Sequence, residues 1–355
     1  MASLTSERSQ ARDYRSANQI RRPIGQMIIT GFSGSDAKAP DFQRALNNLK
    51  GGIIGGVLFL GHNVGSREEL QTMIKMIQNC KCKAVPFIAI DEEGGVVERL
   101  GEDIGFKSIS SPAELEHSGL LAAKIQYKRL ARKLSSLGFN LNLAPVVDLN
   151  TNPDNPIIGA RDRSYSSNPK VVANFARTFI AEHHALKILT SLKHFPGHGS
   201  SIKDSHIAIA DVSTTWKDAE LYPYRYLIRA HLVDTIMVGH LRNIPRWGGT
   251  ASQEGSAIKI LLRKQLKFTG VTISDDLGMG AVSTSDTRPF ANVITSAIKT
   301  GVDIVLVAHR INSDTGRYVN AAILDGLGSG TLSTREIKRS LRRIKKLKQT
   351  MSAKR

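Results

Sequence analysis

Apolar and polar positions along the chain repeat one unit: a short β-rich apolar run ending in polar or glycine-rich residues, then a longer stretch of helical spacing. The apolar runs are GQMIITGF (25–32), GGVLFLG (55–61), VPFIAID (85–91), FNLNLAPVVD (139–148), ILTSLKHF (188–195), DTIMVGHL (234–241), GVTISDD (270–276) and GVDIVLVAH (301–309). Helical stretches lie between them, among them 114–138, 169–187 and 251–267. Strand-then-helix alternation predicts a parallel sheet with crossover helices. Eight such units predict an α/β fold, a single (β/α)8 barrel. An open doubly wound sheet would call for G-x-G-x-x-G after the first strand. The turn there, GFSGSDAKAP at 31–40, does not match.

Barrels of this kind carry their chemistry at the C-terminal ends of the strands. Those ends hold Asp91, Asp148, Lys193, His194, His240, Asp275, Asp276 and His309. Ionisable groups converging on one rim are the pattern of a site rather than of a bland core.

Length and composition agree with this reading. The 355 residues, 41% of them hydrophobic, suffice for one barrel with a large core. No apolar run approaches the roughly 18–20 residues of a membrane-spanning helix. The formal net charge of +18 attracts polyanions, anionic lipid or an acidic wall polymer. Much of it sits at the ends, which divides the chain into a basic extension (1–22), the barrel (23–332) and a basic helix and tail (333–355). In that tail Ile337, Leu341, Ile344 and Leu347 share one helical face, so the helix is expected to dock with its basic back in solvent. The alternative is a surface for an anionic polymer or membrane; no specific nucleic acid is expected as partner. The start has no apolar signal core. A cytoplasmic monomer is expected, with the periplasm as the alternative if a signal peptide preceded it. Cys80 and Cys82 stand two apart, a spacing that seldom meets disulfide geometry, so no disulfide is expected.

Four segments carry candidate chemistry. Asp91-Glu92-Glu93-Gly94-Gly95-Val96-Val97-Glu98-Arg99 puts acids before a glycine pair, where backbone bends or approaches closely. It reads as a binding loop or as a solvated acidic turn. Lys193-His194-Phe195-Pro196-Gly197-His198-Gly199-Ser200-Ser201-Ile202-Lys203-Asp204-Ser205-His206 holds three histidines and an aspartate on a Gly/Pro-rich loop. Asp204 and His206, two apart, can point the same way on extended backbone. A carboxylate beside an imidazole fixes its tautomer and suits it to acid and then base work. The rivals are a merely polar loop, or a metal held by His194, His198 and Asp204 or His206; Lys193 opposes a cation there. Asp275 and Asp276, at a strand end, suit a nucleophile, a cation ligand or a helix cap. The strand-four loop, Asn155 to Tyr165, carries two arginines, Arg161 and Arg163, and reads equally as part of a site or as a surface loop with an Arg–Asp pair.

Together these segments resemble glycoside hydrolase family 3, and within it the bacterial β-N-acetylglucosaminidases of peptidoglycan recycling. The resemblance runs from about residue 24 to 310, and KHFPGHG followed by DSH is its most specific part. It implies Asp275 as nucleophile and His206 as acid/base with Asp204 as its partner. It implies Asp91, Arg99, Arg163, Lys193 and His194 as sugar-binding residues, GlcNAc-containing muropeptides or oligosaccharides as substrates, and no metal or cofactor. Two positions depart from the family: Ser200-Ser201 replaces the usual Asp-Thr, and Gly159-Ala-Arg-Asp-Arg-Ser-Tyr is two residues longer than G-x-R-S-F. The second leaves Arg161 and Arg163 as alternatives. The implied reaction is a retaining hydrolysis with His206 swinging on its loop. A phosphorylase, a metal-dependent hydrolase or a non-catalytic basic wall- or nucleic-acid-binding protein are the competing readings.

Overall fold

A computed structural model describes residues 23–204, 209–279, 289–309 and 312–352. Eight parallel strands form one sheet: β1 (Ile28–Thr30), β2 (Gly56–Phe59), β3 (Phe87–Ile90), β4 (Leu141–Asn142), β5 (Leu189–Phe195), β6 (Thr235–Val238), β7 (Val271–Ser274) and β8 (Val305–Val307). They neighbour one another in chain order, and β1 also pairs with β8. The seam between β7 and β8 closes through the Ile273–Ile304 bridge and through Leu277 N–H donating to Leu306 O at 2.9 Å. The sheet is therefore a closed barrel, and every predicted strand is present.

The strands read as continuous apolar runs because both their faces are covered; all seven residues of β5 are buried. Local chemistry sets the helix starts. Ser66 caps Arg67–Gln78 by accepting Glu69 N–H at 3.1 Å, and Ser111 with Glu114 forms a capping box on Pro112–Ser118. Gly119 divides the predicted 114–138 helix into Pro112–Ser118 and Leu120–Leu137. The predicted 251–267 helix forms turns over 251–254, then a π-helix, Ile258–Gln265; nothing in the structure explains the wider winding.

Three differences have clearer causes. β4 is two residues long rather than ten, because Pro145 has no N–H to give the ladder and the chain detours there. It rejoins β5 where Val147 N–H meets Lys193 O at 2.8 Å. A small three-stranded sheet of Ala210–Asp211, Leu241–Asn243 and Gly249–Thr250 sits beyond β6; its strands are too short to leave a pattern in sequence. Cys80 and Cys82, expected to stay apart, are joined by a disulfide. The chain turns sharply after its helix, with Cys82 N–H on Cys80 O at 2.7 Å. That turn leaves the Cα atoms 5.2 Å apart, inside the roughly 4.4–6.8 Å a disulfide spans.

The C-terminal helix, Thr334–Ser352, packs under the N-terminal end of the barrel. Ile337, Ile344 and Leu347 are buried on its apolar face and Leu341 is half-buried. Asp303, at the foot of β8, holds Arg343 at 2.8 Å and Ser340 Oγ at 2.6 Å. Lys348 is buried, with Nζ donating to Gln26 Oε1 at 2.7 Å and Gly55 O at 2.8 Å. Burial pushes this amine down from 10.5 to about 7. The unfolded chain then holds the Lys348 proton between about 7 and 10.5 while the folded chain does not. Stability is expected to rise with pH across that window. Urea midpoints should show the rise in the native chain and lose it in Lys348→Met; a flat native profile would exclude the buried neutral amine.

Candidate active site

The C-terminal ends of the strands surround a cleft of about 390 Å³. Asp91, Arg99, Arg161, Arg163, Lys193, His194, Asp204 and Asp275 all line it, beside Glu93, Asp276 and His309 and the apolar Leu58, Met237 and Leu306. Of the site residues that the resemblance implies, His206 lies outside the described residues and the others line this cleft, whereas Asp148, His198 and His240 do not.

The acidic run after β3 is sorted by direction. Asp91 and Glu93 face Lys193, whose Nζ lies 2.6 Å from an oxygen of each. Glu92 and Glu98 turn behind the loop to the buried Lys133, at 2.7 and 3.0 Å. Gly94 allows the reversal between them: its φ is +97°, and a Cβ there would stand 2.5 Å from Ser110 O. The solvated acidic turn weighed above is therefore not what forms.

Glu93 joins this loop to the strand-four loop. Arg163 clasps it with Nε on Oε2 and Nη2 on Oε1, both at 2.8 Å, while Nη1 donates to Ile157 O. Asp91, Lys193, Glu93 and Arg163 thus form an unbroken chain of alternating charge across the ends of β3, β4 and β5. Burial opposes the charges on Glu93, Lys193 and Arg163, but their neighbours win. Arg163 and Lys193 hold the Glu93 carboxyl well below the usual carboxylate range, and Asp91 and Glu93 hold Lys193 above the usual amine range. Of the two arginines, Arg163 is the buried one, locked in this chain, while Arg161 is exposed at the rim. Arg163→Met is expected to cost about 3–5 kcal/mol, because it strips a buried carboxylate of its bidentate partner. Urea unfolding checks this, and Glu93→Gln in the same chain should recover part of the loss. A cost below about 1 kcal/mol would mean the pair is dispensable.

His194 is oriented from behind. Buried Asp148, at the end of the β4 segment, accepts from His194 Nδ1 at 2.7 Å and from the His194 and His198 backbone N–H groups at 3.1 and 2.8 Å. This leaves Nε2 for the cleft. Despite burial, His194 and His198 keep the Asp148 carboxyl below its ordinary value. His198 does not line the cleft. It is wholly buried, bonded to Ser201 Oγ at 2.9 Å, and burial together with His194 pushes it down to about 4. Among the described residues, no group of three His, Cys, Asp or Glu side chains is placed to hold a metal ion.

The loop that carries Asp204 is stitched to the strand-four loop. Asn155 Nδ2 donates to His198 O at 2.7 Å and Ser201 Oγ at 3.2 Å, and its Oδ1 accepts the Ile157 and Ile158 N–H groups. Gly199 passes so close to Leu149 that a Cβ would meet its carbonyl oxygen at 1.6 Å. Trp216 Nε1 donates to Pro196 O at 3.1 Å, and the strand Ala210–Asp211 anchors the loop's far side. Ser201, where the family pattern has Thr, supplies the hydroxyl that these bonds use.

The two aspartates after β7 differ in kind. Asp276 is tied down: Oδ1 accepts Gly278 N–H at 2.9 Å and Ala308 N–H at 2.7 Å, and Oδ2 bonds His309 Nδ1. Asp275 is half-buried on the cleft wall, with its backbone N–H on Val238 O at 2.9 Å. Nothing in the sequence pointed to the positioning contacts that Asp148, Glu93, Asn155 and Asp276 make. Their partners lie up to 70 positions away, as with Glu93 and Arg163.

Residues 19–347 match the description "Glycosyl hydrolase family 3 N terminal domain". The chain is 32% identical to beta-hexosaminidase A of Pseudoalteromonas piscicida, over 83% of its own length and 53% of that protein's. It thus spans about half of that relative. It is 30% identical to a beta-hexosaminidase of Xanthomonas oryzae pv. oryzae, covering 86% of this chain and 92% of the relative. Among solved structures, a glycoside hydrolase family 3 beta-N-acetylglucosaminidase from Paenibacillus sp. superposes with a TM-score of 0.83 at 28% identity, over 94% of this chain and 63% of that one. A closed barrel with these loops, matched over most of its length, leaves one assignment: the chain belongs to glycosyl hydrolase family 3.

Proposed function

We propose that the protein is a retaining exo-β-N-acetylglucosaminidase that removes the non-reducing terminal GlcNAc from peptidoglycan fragments. The observation that carries the reading is the position of the adjacent aspartates: Asp276 is buried, with its oxygens on the Gly278 and Ala308 N–H groups and on His309, while Asp275, which accepts the Asp276 N–H at 2.8 Å, is half-buried on the cleft wall. The names of the relatives, beta-hexosaminidases and a beta-N-acetylglucosaminidase, support the sugar.

In this reading Asp91, Arg99, Arg163, Lys193 and His194 hold the hydroxyls of the terminal sugar. The Asp275 carboxylate attacks the anomeric carbon, and His206, partnered by Asp204, gives its proton to the departing oxygen. Asp275 and the sugar are then joined covalently. His206 takes a proton from water, the hydroxide displaces Asp275, and GlcNAc leaves with its original anomeric configuration. The usual retaining pair is two carboxylates about 5–5.5 Å apart; with an imidazole as acid/base, that spacing does not apply.

Proton NMR of the first product formed from a β-GlcNAc glycoside tests the reading. Retention predicts the β anomer, which mutarotates later. An α first product would overturn the nucleophile, and faster turnover of the β-glucoside than of the β-GlcNAc substrate would overturn the sugar.

A further inference from the structure

We infer that the end of the barrel opposite the cleft docks on an anionic lipid bilayer. Two adjoining grooves lie there, where the strands begin. One, of about 680 Å³, runs between the helices Pro40–Gly51 and Arg67–Gln78 and is lined by Leu46, Met76 and Cys80 with Lys50, Lys75 and Lys81. The other, of about 530 Å³, lies under the C-terminal helix and is lined by Pro23, Val85, Leu341 and Ile344 with Lys83, Arg342 and Lys345. The stretches 50–52 and 81–83 connect them. All six of these cations are exposed, and no acidic side chain lines either groove among the described residues.

Helix dipoles explain part of this. Lys50 and Lys75 sit in last helical turns, where cations are favoured anyway. Lys81 and Lys83 lie in a connecting loop, and Arg342 and Lys345 lie mid-helix, so that account does not reach them. The floor chooses the occupant. A single-stranded nucleic acid or a glycan chain would want aromatic platforms for its bases or sugars. The floors here are aliphatic: leucine, methionine, proline, valine and isoleucine. Aliphatic floor with a cationic rim fits the interface between acyl chains and anionic headgroups. In that pose the cleft, at the other end of every strand, opens away from the bilayer.

Co-sedimentation of the full chain with vesicles tests this, using phosphatidylcholine alone or mixed with phosphatidylglycerol. Binding should need phosphatidylglycerol and fall with ionic strength. Each cation near the surface is worth about five-fold in partition, so Lys81→Glu/Lys83→Glu with Arg342→Glu/Lys345→Glu should lose binding more than about a hundred-fold. Turnover of a soluble β-GlcNAc substrate should be unchanged in that variant, which also shows that it folds. The proposal is overturned by equal binding to phosphatidylcholine, by vesicle binding that survives the four reversals, or by tighter binding to oligothymidylate than to the phosphatidylglycerol vesicles at equal phosphate concentration. None of these outcomes depends on which sugar the cleft accepts.

Discussion

Asp275→Ala is expected to lower turnover of a chromogenic β-GlcNAc by about 10⁴-fold or more, the scale seen when a covalent nucleophile is removed. The loss should fall on kcat, because the residues proposed to hold the sugar remain in place. Azide supplies the distinguishing readout. In Asp275→Ala the small anion can enter from the vacated face and give the α-glycosyl azide, partly restoring turnover. Asp276→Ala should respond differently. Asp276 secures the turn at Gly278 and Ala308. Its loss should lower the unfolding midpoint as well as the rate, and azide should restore nothing. Residual activity within about ten-fold of the native enzyme in Asp275→Ala would remove it as nucleophile.

The second large effect concerns His206 and depends on the leaving group. With a GlcNAc disaccharide, whose departing hydroxyl needs a proton, His206→Ala should cost about 10²–10⁴-fold in kcat/KM. With a dinitrophenyl glycoside, which departs unaided, formation of the glycosyl-enzyme should be nearly untouched. Slow release of that intermediate should then appear as a burst. Asp204→Asn should follow the same pattern more mildly, since it weakens the imidazole's partner rather than removing the proton donor. Equal losses on both substrates would end the acid/base assignment.

The barrel was readable because both faces of its strands are covered, which turns each into an apolar run that punctuation makes countable. The cleft was readable for a related reason: chain order places every strand end on one rim. What escaped the reading depends on pairings that no local pattern encodes. Glu93 looked like one acid among several until its side chain met Arg163 from the next strand's loop. Asn155 was only the first residue of the strand-four loop, yet it stitches two loops. The short β4 was foreseeable from Pro145, whose missing N–H the apolar pattern outweighed. The Cys80–Cys82 bond depends on a single sharp turn that spacing does not reveal.

The chain of charges from Asp91 to Arg163 has a bearing on how this pocket can change. Two anions and two cations sum to zero, and each leans on its charged neighbours, so exchanging one exposes the next. Such a wall tolerates replacement as a set and resists it piecemeal. New sugar preferences, whether arising by drift or introduced by hand, should therefore begin at the rim, with Val96, Arg161 and His309, which border the same cleft and are exposed. A library restricted to those three positions should keep most members folded, whereas one spread over the four ions should be mostly unfolded.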